Sequence, residues 1–126
     1  MTLPELTPEE IEERVTIDRS TRYPVMFFFT SAAAWLLVAT LLGFISSLKL
    51  RLPGLWDDFS VLGYGRLFPA HLNALVYGWG MQAGVGVILW LMARLTRTQL
   101  SNRAGILVVG HIWNAGVTFV VLTVLI

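Results

Sequence analysis

The segment from Gly63 to Gly80 reads G-Y-G-R-L-F-P-A-H-L-N-A-L-V-Y-G-W-G, and the apolar run that it begins continues to Leu95. There are 27 residues between Pro69 and Leu95, whereas a hydrocarbon core of about 30 Å needs only roughly 20 helical residues. We therefore predict that this segment crosses a membrane as a helix. Its histidine, His71, lies within the span, and ionisable groups at membrane depth are candidates for a functional role.

The composition of the whole chain is typical of a membrane protein. Its 126 residues are 56% hydrophobic and 13% charged, and the mean hydropathy is +0.69. A net charge of +1 gives no electrostatic basis for binding nucleic acid. Because the sequence has no cysteine, it offers no disulfide, thiolate metal site or ligand for an iron–sulfur cluster. We expect an all-α integral membrane protein that contacts the lipid bilayer and no nucleic acid, and that needs an imported cofactor for redox chemistry.

Two further apolar runs flank the central one. Pro24 to Leu48 contains 25 residues and no charge, and Ala104 to Ile126 contains 23 residues. Each run is long enough to span the bilayer as a helix. The sequence therefore predicts three transmembrane helices in one domain, residues 23–126.

A polar segment, residues 1–22, precedes the first span. Within it, Thr7 is suited to be an N-cap, Pro8 to be the first helical residue, and Glu10 to complete a capping box. This pattern predicts a short surface helix that ends near Val15.

The distribution of Lys and Arg predicts the orientation of the spans. Six basic residues precede the first span or follow the second, and three lie between these spans. The groups, in chain order, are Arg14, Arg19 and Arg22; Lys49, Arg51 and Arg66; and Arg94, Arg97 and Arg103. Since the more basic short segments stay in the cytoplasm, we expect a cytoplasmic N-terminus, with His71 just below the outer surface and His111 nearer the inner one.

As a regular helix, the second span has two distinct faces. The face of His71 also holds Gly78, which would leave room for a flat, bulky group beside the imidazole. The opposite face carries Gly80 and Gly84, a pair that lets another helix approach closely. The residues alone leave two alternatives open. His71 is either a metal ligand or a hydrogen-bonded packing or proton-pathway residue, and the glycines serve either cofactor clearance or helix packing.

Two other polar residues have structural interpretations. Arg66 is by default an interfacial anchor whose side chain reaches water. His111 is expected to be structural, because it lies about 10 Å above the inner surface and His71 about 3 Å below the outer one. The two cannot form an axial pair, whose nitrogens lie only about 4 Å apart.

The block Y-G-R-L-x-P-x-H-x-N-A, from Tyr64 to Ala74, resembles the second transmembrane helix of subunit I of the haem-copper oxidases. It is most similar to that of the cbb-type cytochrome c oxidases. The resemblance extends to I-D-R-S at Ile17–Ser20, P-V-x-F-F-F at Pro24–Phe29 and I-W-N-x-G at Ile112–Gly116, and so covers most of the chain.

The resemblance implies that His71 is one axial ligand of a low-spin haem b, with Arg66 placed to pair with a haem propionate and Gly78 providing clearance. The second ring nitrogen of His71 is expected to donate a hydrogen bond to a carbonyl near Leu67. In this family the other axial histidine and the haem and copper ligands of the oxygen-reducing site lie in later helices. This chain is thus expected to contain no catalytic residue, and to be an N-terminal fragment that is inactive alone.

The same resemblance implies a role in the catalytic subunit of a respiratory terminal oxidase in a bacterial inner (plasma) membrane. The implied partners are the remaining helices of subunit I and other oxidase subunits, including a cytochrome c-type electron donor. Two alternatives remain: a nitric oxide reductase-like subunit, which shares this helix and differs in its metal site, and a small non-catalytic membrane assembly or interaction module.

Overall fold

A computed structural model describes residues 6–126 of the chain. It contains three long helices, Pro8–Arg51, Tyr64–Thr96 and Arg103–Leu125, which we call the first, second and third helix. Each is long and apolar enough to cross a membrane. The prediction of an all-α chain with three spanning helices is therefore confirmed.

The first helix starts as predicted but does not end near Val15. Thr7 caps it, with the Thr7 amide donating to the Glu10 carboxylate at 2.9 Å and the Glu10 amide donating to the Thr7 hydroxyl at 3.3 Å. The helix then continues through Pro24 to Arg51 without a break. The separate surface helix was the wrong expectation, because residues 16–23 contain neither glycine nor proline and Pro24 removes only one amide donor from the ladder.

At one end of the bundle, the loop of residues 52–63 joins the first helix to the second. The buried Lys49 holds this loop, because its ammonium group contacts the Asp57 carboxylate at 2.9 Å and the Pro53 carbonyl at 3.3 Å. A 3-10 turn, Ser60–Leu62, leads into the second helix. The loop thus returns the chain against the end of the first helix.

At the opposite end, the second helix stops at Thr96 because Arg97 adopts the left-handed conformation, with φ of 51°. The adjoining residues bind the first helix. Arg94 makes a two-pronged ion pair with Asp18, at 3.0 and 2.7 Å, and the Leu100 amide donates to the Ser20 hydroxyl at 3.0 Å. These bonds tie the N-terminal part of the first helix to the end of the second.

Small residues bring the helices together. The buried core cluster contains three alanines and two valines: Ala39, Ala70, Ala74, Val117 and Val121. Gly110 of the third helix also allows close packing. A Cβ added to Gly110 would lie 2.5 Å from Cε1 of Phe27. Close approach through small residues is how transmembrane helices gain packing energy in lipid.

The second helix is not regular. Its middle part, Ala74–Gly80, is a π-helix, in which the amide of Met81 bonds to the carbonyl of Val76. Each hydrogen-bonded turn of this segment contains one residue more than in an α-helix. The side chains after Gly80 therefore point in other directions, relative to His71, than they would in a regular α-helix. The assignment of faces for a regular helix is therefore wrong beyond this segment. Gly78 and Gln82 are still buried on the side facing the bundle.

Candidate functional site: a histidine held between two helices

His71 lies three residues before the π-helical segment, and its ring faces the first helix. Its Nδ1 lies 2.7 Å from the carbonyl oxygen of Ala39. Because a carbonyl only accepts hydrogen bonds, Nδ1 must carry the proton and donate. In the neutral ring the other nitrogen, Nε2, then carries a lone pair, as a metal-binding imidazole requires.

The hydrogen-bond partner differs from the expected one. A carbonyl near Leu67, one turn earlier in the same helix, was expected, but the acceptor belongs to Ala39 of the first helix. The reason is the close helix contact: Gly43 has no side chain, and the edge of the His71 ring occupies the space that a Cβ would take. The imidazole is thus oriented by a neighbouring helix and not by its own.

Gly78 lies against the first helix. A Cβ at this position would lie 2.5 Å from Cγ of Trp35 and 2.7 Å from its Cβ, so the indole of the first helix occupies the space. This contact supports the packing alternative for Gly78, and its role beside a cofactor stays a prediction. Gly84, by contrast, has no atom within 4 Å of its Cβ position among residues 6–126, and its role in helix approach stays a prediction.

Arg66 lies one and a half turns before His71 and is half-buried. Its guanidinium donates to the carbonyls of Leu125, at 3.2 Å, and of Ile126. The pairing of Arg66 with a haem propionate stays a prediction.

A polar cluster joins all three helices, and sequence reasoning missed it. The side-chain amide of Asn114 exchanges hydrogen bonds with that of Gln82, at 3.1 and 3.2 Å. The same Asn114 oxygen accepts from the Ser31 hydroxyl at 2.8 Å and from the Trp35 indole at 2.7 Å. We call these four residues the Asn114 cluster. The available signal was that Gln82 and Asn114 interrupt apolar spans, where polar groups turn to each other.

The π-helical segment has its own polar partners. The Trp113 indole donates to the carbonyl of Tyr77 at 3.0 Å, and the Gln82 amide donates to the carbonyl of Gly78 at 2.9 Å. Irregular backbone at membrane depth needs such side-chain donors, because no water replaces the missing helical bonds. The second and third helices therefore stabilise the irregular segment that follows His71.

His111 is held differently from His71. Its Nδ1 bonds to the carbonyl of Leu107, one turn earlier in its own helix, at 2.8 Å, and its ring packs on Phe27 with centroids 4.6 Å apart. This local bonding agrees with a structural role. Among residues 6–126, no group of three or more His, Cys, Asp or Glu side chains is placed to hold a metal ion.

Comparison with known proteins gives one match. The family described as Cytochrome C and Quinol oxidase polypeptide I matches residues 23–126, which include all three spans, His71 and the Asn114 cluster. No curated protein and no solved structure matches the chain. The chain belongs to the family of cytochrome c and quinol oxidase polypeptide I.

Proposed function

We propose that this chain supplies the first three spans of the catalytic subunit of a cbb-type respiratory terminal oxidase, and that His71 is one axial ligand of its low-spin haem b. A haem with two axial imidazoles has no free position on the iron, so it carries electrons and leaves oxygen chemistry to a second site. The other axial ligand and the ligands of the haem-copper site come from later helices of the subunit. Electrons arrive from a cytochrome c-type partner.

The observation that carries this proposal is the hydrogen bond from His71 Nδ1 to the Ala39 carbonyl, at 2.7 Å. Histidines that bind metals almost always donate their second ring N–H to a carbonyl, carboxylate or water. This bond selects the tautomer, prevents rotation of the ring and makes Nε2 more basic. The residues present therefore fit one axial position of an iron porphyrin.

The other two residues of the proposed site fit less directly. Trp35 occupies the space beside Gly78, so clearance for the haem at Gly78 requires the indole to move. Arg66 remains a candidate partner for a propionate, because only one of its terminal nitrogens, Nη1, bonds to carbonyls within residues 6–126. A guanidinium has five N–H donors, so these two bonds leave other N–H groups of Arg66 available to a propionate.

The test is His71→Ala in the complete oxidase subunit, with Asn73→Ala as the matched control two residues away. Asn73 bonds only to the carbonyl of Pro69 in its own helix, at 2.8 Å, within the described residues. His71→Ala should abolish the low-spin haem absorption and block electron delivery, while Asn73→Ala should keep both. An assembled His71→Ala protein with a normal bis-histidine spectrum would refute the haem assignment and favour a membrane module without haem.

A further inference from the structure

We propose that Gly43 and the carbonyl of Ala39, both in the first helix, are positioning groups that set the orientation of His71 and the electron-donating strength of its imidazole. The proposal rests on haem ligation by His71. It assigns to the first helix, which has no histidine of its own, a part in tuning the haem of the second.

The contact between Gly43 and His71 is too close for any other residue. A Cβ on Gly43 would lie 2.8 Å from both Nδ1 and Cε1 of His71 and 3.4 Å from its Cγ. Carbon atoms in contact are normally about 3.5–4.0 Å apart. The ring edge that carries the N–H thus rests on the backbone of the first helix, and this close approach allows the bond to Ala39.

The helices cannot move apart easily to accommodate a larger residue at position 43. Trp35, two turns earlier in the first helix, fills the space above Gly78 and donates to Asn114 at 2.7 Å. Ala39 is fully buried between these contacts. Because these contacts hold the first and second helices together next to Gly43, the imidazole is the group that must shift when a methyl group is added.

The Ala39 carbonyl also affects the chemistry of the ring. A strong acceptor at Nδ1–H increases electron density on the imidazole and makes Nε2 a better donor. Better donation stabilises ferric over ferrous iron and so lowers the reduction potential. Weakening the bond between Nδ1 and Ala39 should therefore raise the potential of the low-spin haem.

The test compares Gly43→Ala with Gly65→Ala in the complete subunit. Gly65 is the matched control, because no atom lies within 4 Å of its Cβ position in residues 6–126. Gly43→Ala should raise the reduction potential of the low-spin haem and shift its electron paramagnetic resonance signal. Gly65→Ala should change neither. An assembled Gly43→Ala protein with an unchanged potential and an unchanged resonance signal would overturn the proposal.

A second measurement applies if Gly43→Ala fails to assemble. Redox-induced infrared difference spectra of the unaltered oxidase should show the ring vibrations of a histidine with a strongly bonded N–H, and these should vanish in His71→Ala. Ring vibrations of a free N–H would overturn the proposal. If His71→Ala keeps the haem, the ligand assignment itself fails. If it loses the haem while Gly43→Ala has no effect, only the positioning role fails.

Discussion

Two histidines in one short chain are held in opposite ways, and the difference separates their expected roles. His71 donates across a helix interface to Ala39, whereas His111 bonds to Leu107 in its own helix. A cross-helix bond fixes a ring relative to the bundle, but a bond within one helix fixes it only relative to its own backbone. Of the two rings, only that of His71 is therefore oriented by a hydrogen bond to another helix.

We predict that His111→Gln in the complete subunit leaves the low-spin haem spectrum unchanged. The glutamine amide can replace the donor to Leu107, and the contact with Phe27 is apolar packing. Absorption spectroscopy of the assembled protein checks this. Selective loss of the low-spin haem in His111→Gln would show that His111, and not only His71, supports that cofactor.

At this scale the sequence identified His71 but could not identify its partner. A motif of residue types places the imidazole near one end of the span, yet the carbonyl of Ala39 is a backbone group that every residue possesses. Its selection depends on how deeply the glycine at position 43 lets the ring approach, which is a tertiary property. The contact between Gly78 and Trp35 has the same origin, because the two residues are 43 positions apart in sequence.

Among the elements, the start of the first helix was predictable from local chemistry and its end was not. Capping by Thr7 and Glu10 involves residues three apart, so the pattern is visible in sequence. The π-helix at Ala74–Gly80 has no such pattern, because its irregular bonds are balanced by Trp113 and Gln82. An element whose backbone is stabilised by hydrogen-bond donors far away in sequence cannot be predicted from its local sequence.

We predict that the first turn of the first helix frays in acid. The amide of Thr7, followed by its hydroxyl, lowers the pKa of the exposed Glu10 carboxyl below its ordinary value of 4.5. The depressed pKa means that this contribution is complete above pH 4.5 and is lost as pH falls through the lowered value. After correction for the intrinsic pH dependence of exchange, the protection of the Glu10 and Ile11 amides against hydrogen exchange should decrease over that range.

The matched comparison is Glu10→Gln against Glu13→Gln. Glu10→Gln should remove the pH dependence of this protection in the first turn, because a neutral amide replaces the titrating group. Glu13→Gln leaves the cap intact, so the pH dependence should remain in this variant. Equal acid sensitivity in all three proteins would contradict this account of the cap.

For the whole molecule, the Asn114 cluster is the feature that joins the three helices into one unit. We predict that Asn114→Leu lowers the free energy of unfolding by about 1–2 kcal/mol, because hydrogen bonds between membrane helices contribute roughly 0.6 kcal/mol each and up to about 1.7. The substitution removes the acceptor shared by Ser31, Trp35 and Gln82. Reversible unfolding in mixed micelles measures the change.

Thr118→Val provides the control for that experiment. Thr118 lies one turn further along the same helix, and within residues 6–126 its hydroxyl bonds only to the carbonyl of Asn114. Thr118→Val should lower the free energy of unfolding much less than Asn114→Leu does. Similar losses in the two variants would mean that the cluster contributes no more than a local hydroxyl does.

The orientation of the whole molecule is a separate prediction. The six basic residues outside the connection between the first two spans favour a cytoplasmic N-terminus. Reporter domains fused after Leu55 and after Thr98 should therefore be detected outside and inside the cell, respectively. The reverse result would place His71 near the cytoplasmic surface.

The unbroken first helix has a mechanical consequence. At 1.5 Å per residue its 44 residues extend about 66 Å, roughly twice the thickness of a hydrocarbon core. The N-terminal part of this helix is fixed by the ion pair of Asp18 with Arg94. Its C-terminal part carries Gly43, which the ring of His71 contacts. Because no break separates Asp18 from Gly43, the ion pair and the contact with His71 are held about 38 Å apart along one continuous helix.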